Sequence, residues 1–295
     1  MKLRELKGEG ALLLTAIIWG SGFIMVDAAL SLGFKPGAIN MLRFILGALV
    51  LLLALNKNVR KLNLQELKTG IIAGICYFFG FYLQTIGLQY TNVSNNAILT
   101  ATNLLMVPFI SWLVFKKKPD KRVFAAVFIC FIGIAILTWS GGGLAFNLGD
   151  SLTLLCALAY ACHIAYLGVT AQGKDPLRLS FVQLATVGTL SALAFFLFEG
   201  GDFSTAQWNP GIFVVVYLAV FPSALCLFLQ TFGQKYTPTS KSAILLSFES
   251  FFGATFSVLL GLEALTLNLL LGGAIIITTV IWLEWRGAKD PALSA

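Results

Sequence analysis

Long apolar runs alternate with short polar breaks along the whole chain. Read from breaker to breaker, the pattern predicts ten helices, at about 10–32, 36–55, 67–89, 93–115, 122–139, 149–170, 178–198, 210–233, 238–260 and 266–285. Each is about 20 residues, the length that the hydrocarbon core of a bilayer demands. The breaks between them are short, so no soluble domain fits anywhere. The pattern predicts an all-α integral membrane protein of ten transmembrane helices.

Composition points the same way. Of 295 residues, 58% are hydrophobic and 11% charged, against about 25% charged in soluble domains. With the N-terminus placed in the cytoplasm, 18 of the 20 Lys and Arg residues fall on cytoplasmic segments. Lys35 alone lies outside and Arg43 lies within a span. This bias is the positive-inside signature of a multi-pass cell-membrane protein. An even number of spans puts both termini in the cytoplasm. It also explains the net charge of +7 without a nucleic-acid partner, which would need a basic face on a folded domain. The first apolar run is too long for a secretory signal. The five cysteines sit inside apolar runs without a C-x-x-C pair, so no disulfide framework or zinc site is indicated.

The chain repeats itself. Residues 84–99 (QTIGLQYTNVSNNAIL) and 230–245 (QTFGQKYTPTSKSAIL) match at 9 of 16 positions. The offset predicts two five-helix repeats, 1–145 and 146–295. Five is odd, so the second repeat enters the membrane upside down. Charges follow the inversion: Gln89 and Asn95 lie outside, while their counterparts Lys235 and Lys241 lie inside. Inverted helical repeats are the architecture of secondary transporters, whose substrate sites lie near the midplane where the halves meet.

Several segments resemble the EamA family of the drug/metabolite transporter superfamily. They are Trp19-Gly20-x-x-Phe23, Asn40-x-x-Arg43-Phe44, and Tyr90-Thr91-x-x-Ser94-x-x-Ala97 leading to Pro108. The second-half counterparts are Tyr236-Thr237-x-x-Ser240-x-x-Ala243 and the Gly-x-Glu263 that follows. The resemblance implies a carrier that moves a small metabolite, an amino acid or an aromatic or cationic compound, by alternating access, with export as its direction. Two positions depart from the repeat pattern: Lys116–Lys118 stand opposite Glu263, and Ala254 opposite Pro108.

An ionisable side chain inside a span is costly and usually faces a cavity or a partner. Glu249 lies half-way along the ninth span and its repeat counterpart is Asn103. Asn96, Thr100 and Asn103 form a polar stripe at i, i+4, i+7 on the fourth span, so two polar faces are expected to meet at the centre. Interhelical hydrogen bonding is the alternative for these residues. Arg43 is expected either to pair with Asp27 or to meet an anionic group of the substrate. Lys241 can snorkel to the interface. His163, the single histidine, shares a face with Tyr160 and Tyr166, and either titrates or serves as a neutral hydrogen-bonding link between helices. Trp19 and Phe23, with Tyr160 as a repeat neighbour, offer aromatic surface. Gln84 and Gln230 are a repeat pair of buried amides. Pro108 and Pro222 are expected to kink the fourth and eighth spans. The candidate substrate site is therefore Glu249, Asn103, Trp19, His163, Tyr160, Gln84, Gln230, Arg43, Asn96 and Thr100.

No P-loop and no H-E-x-x-H occur, so the sequence indicates no ATP drive, cofactor or metal. The expected partners are a small-molecule substrate, the bilayer and a proton as candidate coupling ion. An intramembrane enzyme acting through Glu249 and His163, and a passive channel, are the rival readings.

Overall fold

The computed structural model describes residues 2–55, 61–115, 121–140, 143–144, 146–171, 173–237 and 239–289. The helices among them are α1 (Lys2–Ser31), α2 (Pro36–Leu55), α3 (Leu64–Leu88), α4 (Val93–Thr100), α5 (Asn103–Phe115), α6 (Lys121–Leu137), α7 (Leu148–Thr170), α8 (Pro176–Phe198), α9 (Trp208–Leu218), α10 (Cys226–Tyr236), α11 (Thr239–Leu259) and α12 (Leu267–Lys289). The all-α expectation needs one amendment, a two-residue antiparallel ladder between β1 (Trp139–Ser140) and β2 (Gly143–Leu144). Seven stretches are long and apolar enough to cross a bilayer: α1, α2, α3, α4 with α5, α7, α8, and α9 through α10. Shorter apolar helices at Leu245–Leu259 and Leu267–Trp282 join them. The Lys116–Lys118 segment and the side chain of Lys241 lie outside the described residues.

Helix starts follow local chemistry. Asn63 and Asn147 each accept from the backbone N–H three residues on, Glu66 and Asp150, whose carboxylates reach back to the capping residue's own N–H. These are reciprocal capping boxes, satisfying donors that a helix start would otherwise orphan. Asp175 caps α8 ahead of Pro176 at its first position, where the missing proline N–H costs nothing.

Two spans are irregular, for different reasons. The kink expected at Pro108 lies earlier, at Ala101–Thr102. There the ladder tightens to i→i−3 bonds, Ala101 to Ile98 (3.2 Å) and Thr102 to Leu99 (3.1 Å). The Thr100 and Thr102 hydroxyls donate to the carbonyls of Asn96 and Leu99 at 2.7 Å each, and such back-bonding competes with the regular ladder. Pro108 itself sits inside the continuous helix α5. At Pro222 the irregularity is where it was expected, as a π-helical turn over Ala219–Leu225. Proline has no N–H to give, and the register slips so that the Cys226 N–H bonds Phe221.

α2 packs along α8, α1 between α10 and α11, α3 between α7 and α8, α4 on α11, α5 on α7, and α6 on α12. Loops gather at two ends. At one, the Glu66 carboxylate, 1% exposed, accepts from Arg178 Nη2 at 2.7 Å and from the Asp175 N–H at 3.3 Å. At the opposite end of α8, Glu199 accepts the Gly37 N–H at 2.8 Å, and the Gln207 N–H donates to the Leu32 carbonyl at 2.9 Å. The polar side chains Arg43, Asn96, Asp150, His163 and Gln183 are buried. Phe198 and Phe213 are instead 79% and 75% exposed. Apolar rings outside and polar groups within is the arrangement that suits lipid as solvent.

Glu199 also fixes a pH expectation. The half-buried carboxyl is held above the usual carboxylate range by desolvation, against the pull of the Gly37 N–H and the nearby Lys35. A raised folded value means that the fold favours the protonated form. The contribution is therefore present below the ordinary carboxylate range and lost as pH rises through the raised value. Thermal unfolding between about pH 4 and about pH 7 should show the wild type losing more stability than Glu199→Gln. Parallel curves would refute this.

Candidate functional site

One face of each inner helix turns toward the centre. On α1, Trp19, Phe23 and Val26 fall at i, i+4 and i+7, and on α3 Tyr77, Phe81, Gln84 and Leu88 continue one stripe. Residues so spaced share a helix face. Together with Arg43 from α2, Asn96 from α4, Asn103 from α5, Tyr160 and His163 from α7, Pro222, Gln230 from α10 and Glu249 from α11, they line a cavity of about 800 Å³, part of it open. No residue of α6 or α12 lines it among the described residues. Ile276 of α12 is instead fully buried against Cys130 of α6 in a separate apolar cluster.

Nine of the ten candidate residues meet at this cavity; Thr100 does not. Thr100 stands behind the wall, where its hydroxyl accepts from Gln84 Nε2 at 3.1 Å. Gln84 Oε1 accepts from the Tyr160 hydroxyl at 3.2 Å. Asn96 Nδ2 donates to Thr153 Oγ1 at 2.8 Å and to the Gln84 carbonyl at 3.3 Å. These bonds tie α3, α4 and α7 into one rigid wall. Among the described residues they leave Asn96 Oδ1 without a hydrogen bond, and Asn103 Oδ1 and Gln230 Oε1 have none either. An unmet buried acceptor costs about 1–3 kcal/mol, and all three belong to residues that line the one cavity.

Arg43 does not pair with Asp27. Its Nε donates to Ser223 Oγ at 3.0 Å, and the guanidinium lies 4.7 Å from the ring centroids of both Phe44 and Phe81. The π turn supplies Ser223, and the same turn offers the Pro222 carbonyl to Trp19 Nε1 at 2.8 Å. His163 is held on two sides. Its Nε2 lies 2.7 Å from Gln183 Oε1, and its ring stacks on Tyr77 at 4.5 Å. Gln183 Nε2 donates to the Leu179 carbonyl, so its Oε1 faces the imidazole and Nε2 of His163 carries the proton. Glu249 makes no hydrogen bond or ion pair among the described residues. Among those residues, Arg43 and Glu249 are the only Asp, Glu, Lys or Arg side chains in the lining. No three His, Cys, Asp or Glu residues cluster to hold a metal ion among the described residues.

The structure adds three residues to the candidates. Tyr77 belongs to the stripe that ends on Gln84, a spacing visible in the sequence. Gln183 follows Pro176 at the same spacing as Arg43 follows Pro36. Ser223 carries no sequence signal, because only the π turn brings it to Arg43.

The sequence profile described as the EamA-like transporter family matches residues 6–139 and again 147–285. An uncharacterized transporter of Archaeoglobus fulgidus is 34% identical over 287 residues, covering 96% of this chain and 88% of its own. The Bacillus subtilis uncharacterized transporter YyaM is 27% identical over 72% of each chain. A solved crystal structure of 17% identity superposes with a TM-score of 0.67, covering 97% of this chain and 99% of its own.

Proposed function

The chain belongs to the EamA-like transporter family, a multi-pass membrane protein and a transporter, and from that premise we propose that it is a secondary carrier which exports a small metabolite by alternating access. The observation carrying this reading is the central cavity, lined from both halves of the chain by polar and aromatic side chains. Glu249, Asn103, Trp19, His163, Tyr160, Gln84, Gln230, Arg43 and Asn96 form its substrate-binding wall, and Thr100 backs it. The cargo is an amino acid or another small aromatic or cationic compound, with the proton as coupling ion.

Ten spans in two inverted repeats complete the proposal. The profile matches the chain twice, which supports the repeat. So does the packing. Exchanging each helix for its counterpart turns α1 on α11 into α7 on the α4–α5 pair, and α3 on α7 into α10 on α1, both of which occur. Reconstituted protein should carry saturable flux of at least one metabolite from a labelled panel, faster under a proton gradient. Unsaturable flux would favour a channel, and no flux with any compound would overturn the carrier.

The charge bias sets the sidedness. Cysteines placed at 199–207 should react with an impermeant maleimide from outside whole cells, and those at 116–122 only after permeabilisation. Outside labelling of 116–122 would refute both the orientation and the inversion.

A further inference from the structure

Arg43 is the eighth residue of the twenty in α2 and is 2% exposed. A buried guanidinium is ordinarily paired, because an uncompensated charge in a low-dielectric interior is costly. Here no carboxylate lies within ion-pair distance among the described residues. Ser223 takes the Nε proton, and the rings of Phe44 and Phe81, each 4.7 Å away, fix the plane of the group. Ring faces attract the cation but accept none of its hydrogen bonds in the plane. Four of the five guanidinium N–H donors thus meet no acceptor among the described residues, on a group that lines the cavity. The fork is held in one orientation with its bonding edge unmet.

We propose that Arg43 is the docking point for a carboxylate on the transported molecule, so that the cargo is a small organic monocarboxylate with an apolar or aromatic body. This rests on the carrier reading of the cavity. A planar fork fits a planar two-oxygen anion bidentately. One guanidinium balances one negative charge, so the second charge of a dianion such as a phosphate monoester finds no Lys or Arg in the described lining. Trp19, Phe23 and Tyr160 supply the apolar wall for the body. Ser223 is a positioning residue, acting on the cargo through Arg43.

Calorimetric titration of the full-length protein in lipid nanodiscs tests this with three probes of one body: 3-phenylpropionate, 3-phenylpropanamide and 3-phenylpropyl phosphate. The carboxylate should bind about 30-fold more tightly than the amide, the size of a charge-assisted bidentate pair. Arg43→Gln should abolish that preference. Ser223→Ala should narrow it several-fold. The wild-type comparison stands alone if Arg43→Gln does not fold. Equal binding of carboxylate and amide, tighter binding of the phosphate, or no binding of the carboxylate at about 10 mM overturns the proposal. Metabolite flux that the amide inhibits as well as the carboxylate would sink this assignment and leave the carrier standing. Carboxylate binding without flux of any metabolite would do the reverse.

Discussion

Glu249→Gln is expected to lower gradient-driven accumulation about 100-fold while the protein stays folded and keeps part of its substrate binding, the loss being that of a charge-assisted interaction inside a cavity. Glutamine is nearly isosteric, and the carboxylate has no hydrogen bond among the described residues for the fold to lose. A carboxylate in a membrane interior persists when hydrated, paired or protonated, so in the proposed carrier cycle Glu249 would exchange a proton as the cavity opened to either side. Its repeat counterpart Asn103 cannot titrate, which leaves the chemistry to one half. Binding, exchange and gradient-driven uptake measured on the variant separate the roles. Loss of accumulation alone marks coupling, and loss of binding marks direct contact with a cationic group. A silent Gln variant beside a destabilised Glu249→Leu would reduce the residue to a structural one.

The second large effect is at Gly20. A Cβ there would lie 2.6 Å from the Phe252 Cβ and 2.9 Å from the Gly253 backbone nitrogen. The partner includes backbone of α11, so no side chain can swing away. α1 and α11 approach this closely because small residues meet at the crossing, the usual route to tight helix contact in lipid. Gly20→Val should cost about 3 kcal/mol or more, at the upper end of overpacking penalties, and be seen as loss of the monodisperse peak in detergent and a lower unfolding temperature. On the same helix, a Cβ added at Gly10 would meet no atom within 4 Å, so Gly10→Ala is the control and should behave as wild type. A well-folded Gly20→Val protein would mean that α1 and α11 do not cross here.

What the sequence makes legible is what a local constraint sets. Trp19 and Phe23 meet the cavity together because α1 is regular there and helical spacing alone sets a shared face. Glu249, Arg43 and His163 stood out through the cost of polarity in an apolar run. Thr100 shares α4 with Asn96 but meets Gln84 of α3 instead of the cavity. Its spacing to Asn96 and Asn103 assumes an unbroken helix, and hydroxyl back-bonding at Thr100 and Thr102 tightens the turn. Pro108 misled in the opposite sense, because a proline near the strain did not itself set the bend.

Partner choice was legible nowhere. Asp27 was as good a partner for Arg43 as any in the sequence, yet the guanidinium meets Ser223, 180 residues away, on a turn whose slipped register follows from Pro222. Gln183 reaches His163 and Tyr77 stacks on it, although no spacing joins the three. The sequence by itself determined that the solvent is lipid, where the apolar runs lie and which side chains are too polar to face hydrocarbon. These properties are set by composition and by the few residues around each position. The tertiary structure decided how those side chains pair, which of them share one cavity and which helices stay at its rim. Pairing depends on helix rotation and on the local departures from α geometry, and both are fixed by packing between segments far apart in the chain.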